Sequence, residues 1–275
     1  MPICQHPSMN RLAAPLLAAC LIGCTGHASI LTGEHHAASL FLLDPTDISD
    51  TFDYASLNID PFPPQSRYFY RDGKSVGRAQ LVSSADPEFG DDMKVSFSPK
   101  IDIAPGTLIA DRDINLRGRY EARPATRAEH ADLIRLEGSI ESPSTPSMPG
   151  DGARRSEILT IVTDRSGQRG DVAVHSSETY SLDANGETTL RSFLGIYVRS
   201  PSGQWRVDHT ESRTGCDGCE SQPTSWSLVG FGDVCGAGEL TLLFTELAYE
   251  TWGMSGYELN RAGKGSWLSP DMKHE

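Results

Sequence analysis

From Arg67 onward, short runs of alternating apolar and polar residues dominate the chain, and a period of two predicts strands. Tyr68-Phe69-Tyr70, then Asp72-Gly73, then Ala79 to Val82 reads as strand, tight turn, strand. Further β-rich runs fall at Lys94 to Phe97, Leu133 to Ile140, Ile158 to Val162, Val172 to Tyr180, Phe193 to Val198, Trp205 to His209 and Leu240 to Tyr249. Arg165-Ser166-Gly167, Asn185-Gly186, Ser202-Gly203 and Ala262-Gly263 stand between or after them. Glycine in such short turns supplies the positive φ that tight hairpins demand. A helical reading is confined to Thr126 to Arg135, which reads equally as the start of a strand. The expectation is an all-β fold, mainly antiparallel: a sandwich, barrel or meander.

Two stretches interrupt this pattern. Residues 24–60 are rich in Gly, Ser, His and Asp and read as a flexible acidic tether. Asp44, Asp47, Asp50 and Asp53 recur there every third residue, as a solvated stretch or a cation site, and Pro61, Pro63 and Pro64 close the segment. Ser142 to Ala153 holds three prolines and two glycines, which deny it a regular ladder. The body, 61–275, is therefore one β domain with a long loop, or two split at 142–153. No fixed-period repeat argues for a propeller or solenoid.

Ahead of the tether, Leu12 to Cys24 is an apolar run preceded by Arg11, with no acid before Glu34. It is too short to span a bilayer comfortably and fits the apolar region of an export signal. Its end, Leu21-Ile22-Gly23-Cys24, resembles the lipobox of bacterial lipoproteins. The resemblance implies removal of residues 1–23 and acylation of Cys24 by chains such as palmitate. Leu17-Ala18-Ala19-Cys20 is a second match, and cleavage after Ala28 would instead make an ordinary secreted protein. Two acyl chains anchor a protein stably where one does not. The residue after the cysteine is Thr25; an aspartate there marks inner-membrane retention in the lipoproteins it resembles, so an outer-membrane address is implied.

Charge narrows the partners. The chain has 24 Lys and Arg against 37 Asp and Glu, a net of −13. Loss of residues 1–23 removes Arg11 and no acid, leaving 23 against 37, or −14. Nucleic acid and anionic lipid both call for clustered cations, and Arg154-Arg155 is the densest basic pair. The expected partners are the membrane, through the acyl chains, and an envelope protein or glycan, with no nucleic acid and no cofactor.

Candidate chemistry is sparse. Cys216-Asp217-Gly218-Cys219 and Cys235 could form a disulfide, or a zinc site with His209; an oxidising envelope favours the disulfide, joining Cys235 to one of the pair. Asp111-Arg112-Asp113-Ile114-Asn115 shares the alternating oxygens of a calcium loop but has Leu116 where the glycine belongs. Gly230 to Gly236 reads as a turn. No nucleophile or metalloprotease motif occurs, and His130, His175 and His209 are scattered. All four tryptophans lie in the C-terminal third. They suggest either a β core or a candidate ligand face of Trp226, Phe231, Trp252, Tyr257 and Trp267. Glu246, Glu250 and Glu258 nearby could pair as glycosidase carboxylates. The reading is a lipid-anchored binding or envelope-maintenance module; the alternative is an envelope hydrolase without a recognisable motif.

Overall fold

The computed structural model describes residues 40–42, 66–71, 73–85, 93–98, 107–115, 118–140, 154–182, 188–216, 220, 222–248 and 251–268. Cys24, the aspartate series, Asn185-Gly186 and the 142–153 segment lie outside them. Three antiparallel sheets and one helix make up the described chain, so the all-β expectation holds. Sheet A joins β1 (Leu40–Leu42), β5 (Leu108–Ala110), β2 (Ser66–Arg71), β3 (Lys74–Ala85) and β4 (Met93–Ser98), in that order. Sheet B is a meander of β6 (Tyr120–Pro124), β7 (Arg154–Asp164), β8 (Val172–Leu182), β9 (Thr188–Arg199) and β10 (Trp205–Cys216). Sheet C is a second meander of β11 (Ser225–Gly232), β12 (Leu240–Ala248), β13 (Thr251–Leu259) and β14 (Gly265–Leu268).

Alternation along the strands stacks these sheets. In sheet C, Leu243 of β12 and Met254 of β13 pack with Tyr70, Leu108 and Ala110 of sheet A. Their strand neighbours Leu242, Phe244, Tyr257 and Leu259 point the other way, onto Val172, Val174, Leu194 and Ile196 of sheet B. Sheet C is thus the middle layer, which explains why residues 240–245 are buried at every position instead of at alternate ones. The far face of sheet B carries Ile161, Ala173 and Tyr197, and these receive Leu133 of α1 (Arg127–Ile140). The order of layers is sheet A, sheet C, sheet B, helix.

The turns fall where the sequence puts them: Gly73 links β2 to β3, Gly167 lies between β7 and β8, Gly203 between β9 and β10, and Gly263 between β13 and β14, all at positive φ. Two expectations are corrected. Leu133 to Ile140 is the second half of α1, not a strand, and Gly230 and Gly232 lie inside β11 rather than in a turn. No helix among the described residues is long and apolar enough to cross a membrane.

The helix is decided at its start. Thr126 and Glu129 form a reciprocal cap: the Thr126 amide donates to Glu129 Oε2 at 2.9 Å, and the Glu129 amide to Thr126 Oγ1 at 3.3 Å. Arg123, just beyond on β6, donates twice to the same carboxylate at 2.8 and 2.7 Å. These bonds outweigh the cost of burial and pull the Glu129 carboxyl down to about 2. A depressed acid stabilises the fold above its unfolded pKa of about 4.3 and loses that contribution as pH falls through the folded value. Glu129→Gln is therefore expected to cost on the order of 2 kcal/mol at pH 7. The gap from the parent, followed by urea denaturation, should shrink between about pH 4.5 and pH 2.

Candidate ligand groove

A groove of about 470 Å³ opens where the β2–β3 hairpin of sheet A meets β6 and the β7–β8 turn of sheet B. Its volume lies within the range of roughly 300–1,000 Å³ typical of small-ligand sites. Tyr68, Gly73, Lys74 and Arg78 form one wall; Tyr120, Glu121 and Arg165 form the other. Phe231 of β11 also lines it, so all three sheets contribute.

One asparagine holds the two walls in register. Asn115, 5% exposed, donates from Nδ2 to the carbonyls of Gly73 at 3.3 Å and Tyr120 at 3.1 Å, and accepts the Tyr120 amide on Oδ1 at 2.8 Å. Its own carbonyl accepts the amides of Gly118 and Arg119. Asp113 anchors this turn by accepting the Tyr70 hydroxyl at 2.8 Å and the Asn115 amide at 3.1 Å. Burial, then the Asp113 hydrogen bond, push the Tyr70 phenol well above its usual range, so it stays a donor. Asp113 and Asn115, two of the residues that suggested a calcium loop, thus spend oxygens on the protein itself.

Charge in the groove runs against the acidic chain. Three cations, Lys74, Arg78 and Arg165, face two carboxylates, Asp113 and Glu121. Arg165 pairs with Glu121 at 3.2 Å and Asp113 is taken by Tyr70. Lys74 and Arg78 are exposed and have no carboxylate partner among the described residues. Arg78 lies 5.1 Å over the Tyr68 ring, a cation–π contact that fixes its guanidinium at the rim. A second groove of about 480 Å³, between α1 and the β9–β10 turn, is bounded by Trp205, Leu136 and Gln204. Its Asp132 and Arg135 pair with each other at 3.3 Å and leave no net charge to offer.

Three of the five residues of the expected ligand face are buried. Trp226, Phe231 and Tyr257 are at most 5% exposed and fill the space between sheets C and B. Trp267 is half-buried, edge-on to Tyr257 at 5.1 Å and to His209 at 5.4 Å. Aromatics of a middle layer are covered from both sides, which the sequence of sheet C alone does not reveal. Phe231 alone of the five borders the groove; the Trp252 side chain lies outside the described residues. Nor do Glu246 and Glu258 pair. Glu246 stands opposite Gly253, five residues from Glu258 along β13, or about 16 Å of extended strand. That exceeds the separation of roughly 5–9.5 Å a glycosidase uses. Glu258 instead sits near Glu239 and Asp233, and burial, then those neighbours, raise its carboxyl.

Cys216 ends β10 close to the start of β11, where Arg213 donates to Thr224 Oγ1 at 2.8 Å. Cys235 is buried beyond the other end of β11 against sheet A, and both it and Cys216 are disulfide-bonded. His209 precedes Cys216 by seven residues of strand, about 23 Å, too far to share a zinc ion. Cys219 lies outside the described residues.

The other two histidines do meet. His175 of β8, 1% exposed, has Nδ1 2.5 Å from Glu137 Oε1 and Nε2 2.9 Å from Glu157 Oε1. The Tyr197 hydroxyl donates to the same Glu137 oxygen at 2.6 Å, and His130 Nε2 lies 3.0 Å from the same Glu157 oxygen. These groups come from α1, β7, β8 and β9. No local motif joins them, although the alternation of β8 and β9 already puts His175 and Tyr197 on the odd-numbered face. No family model, curated protein or solved structure matches this chain.

Proposed function

We propose that this protein is a lipid-anchored binding module of the bacterial envelope that takes an acidic glycan in the groove between sheets A and B. The observation that carries the ligand reading is the pair of exposed cations, Lys74 and Arg78, with no carboxylate partner among the described residues, on an aromatic, glycine-rich wall of a chain with net charge −13. Cations at the rim of such a groove attract anions and orient them. Glycine backbones at Gly77 and Gly118 let a sugar approach the main chain closely. The address is the one that Leu21-Ile22-Gly23-Cys24 implies: acylation at Cys24 and tethering to the outer membrane.

One preparation tests both halves. Protein extracted in detergent from cells expressing the full gene should have the mass of a chain starting at Cys24 plus its acyl chains. The same protein should bind a fluorescent uronic-acid oligosaccharide, measured by anisotropy, more tightly than a neutral oligosaccharide of equal length. Lys74→Glu with Arg78→Glu should weaken that binding by about tenfold or more while the melting temperature holds. Preference for an acidic peptide over the uronic-acid probe would overturn the glycan reading. An unacylated mass would overturn the address, and release of new reducing ends from the probe would make the protein a hydrolase.

A further inference from the structure

The geometry points to a divalent transition-metal site, suited to zinc, formed by His130, His175 and Glu157 beneath α1. It is independent of the groove, since it lies on the opposite face of sheet B.

Three observations converge. First, both imidazoles present Nε2 to one carboxylate oxygen, Glu157 Oε1, at 3.0 Å from His130 and 2.9 Å from His175. Two ligands each about 2.0–2.2 Å from one zinc ion stand roughly 3 Å apart at an angle near 90° and about 3.4 Å apart at the tetrahedral angle, so a small opening of the cluster admits the ion. Second, the His175 contact is close but misaligned: Nε2 is buried and makes no hydrogen bond. Hydrogen bonding wants the oxygen in line with the N–H. Ligands of a common ion want it off that line, because each lone pair points at the metal and not at its neighbour. Third, His175 is braced from behind. Glu137 holds Nδ1 at 2.5 Å and is itself held by the Tyr197 hydroxyl at 2.6 Å. Carboxylates behind metal-bound histidines fix the ring and raise its basicity in this way.

Without an ion, His130 hydrogen-bonds Glu157 while His175 Nε2 only approaches it, and no three His, Cys, Asp or Glu among the described residues already stand where they could hold a metal ion. Binding therefore exchanges the His130–Glu157 hydrogen bond for bonds to the metal, and any proton the ligands carry leaves to solvent. His130 supplies the needed movement: its side chain is 44% exposed, whereas His175 is locked. With three protein ligands, a fourth position remains for water on the exposed side.

The test is zinc and cobalt titration of the full chain purified without a histidine tag. We expect one equivalent of zinc to bind, and cobalt to give visible d–d bands without the near-ultraviolet bands of sulfur ligation. His130→Ala and Glu157→Gln, both at partly exposed positions, should each weaken zinc binding by about tenfold or more with the fold intact by circular dichroism. Glu137→Gln should weaken it less. A merely structural cluster would shift the melting temperature of these variants but leave zinc uptake where it was, which would overturn the site. So would sulfur-to-cobalt bands, which would move the metal to the cysteines.

Discussion

Gly73→Ala is expected to destabilise the protein by about 3 kcal/mol. Two costs combine. At φ +71° the residue sits in the left-handed region, where a Cβ costs roughly 1–2 kcal/mol. A Cβ built there would also overlap Cε1 and Cζ of Phe231, the ring that borders the groove. Phe231 is fully buried and cannot step aside without disturbing β11, so overpacking adds about 1–3 kcal/mol. Gly118→Ala provides the comparison, since that glycine has φ +84° but nothing within 4 Å of its Cβ position. It should cost only the backbone part, about 1 kcal/mol. Urea denaturation of the two variants separates the terms: equal losses would mean that Phe231 does not lie beneath the turn. Adding Phe231→Leu to Gly73→Ala should then restore part of the loss, a coupling that independent sites would not give.

Much of the fold can be read in the chain because strand period and turn glycines are local signals. Gly73, Gly167, Gly203 and Gly263 all mark connections between consecutive strands, and the runs from Ile158 to His209 are four neighbours of one meander. Leu133 to Ile140 was legible only through its start. Its apolar residues suit either element, and the Thr126–Glu129 cap decides for helix. The stacking of sheets is another matter. Leu240–Leu243 announces a strand buried on both faces, but which sheets cover it depends on pairings far apart in sequence. For that reason Trp226 and Tyr257 could be read as a face when they are filling. The groove cations and the His130–Glu157–His175 cluster were hidden for the same cause. Lys74 and Arg165 meet across two sheets, and the cluster draws on four elements between residues 130 and 197.

Phe244→Ala and Leu243→Ala should both destabilise the protein severely, by about 3–5 and 2–5 kcal/mol. The two residues are adjacent on β12, fully buried, and point in opposite directions. Phe244 fills the layer between sheets C and B, where it also meets the Trp267 ring at 5.8 Å. Leu243 fills the layer between sheets C and A. A domain holds its fold by about 5–15 kcal/mol, so either cavity removes a large share. The pair also reports how the layers are coupled. Sheet C belongs to both interfaces, and Asn115 ties the β2–β3 turn of sheet A directly to the start of β6 in sheet B. Unfolding should therefore remain a single transition in each variant, coincident by tryptophan fluorescence and far-ultraviolet circular dichroism, with the midpoint lowered and the slope unchanged. If sheets A and B instead folded as separate units, Leu243→Ala would split the curve, melting sheet A early while Trp205 on sheet B kept its native signal. The middle sheet predicts one transition because neither outer sheet can leave without exposing a face of β12.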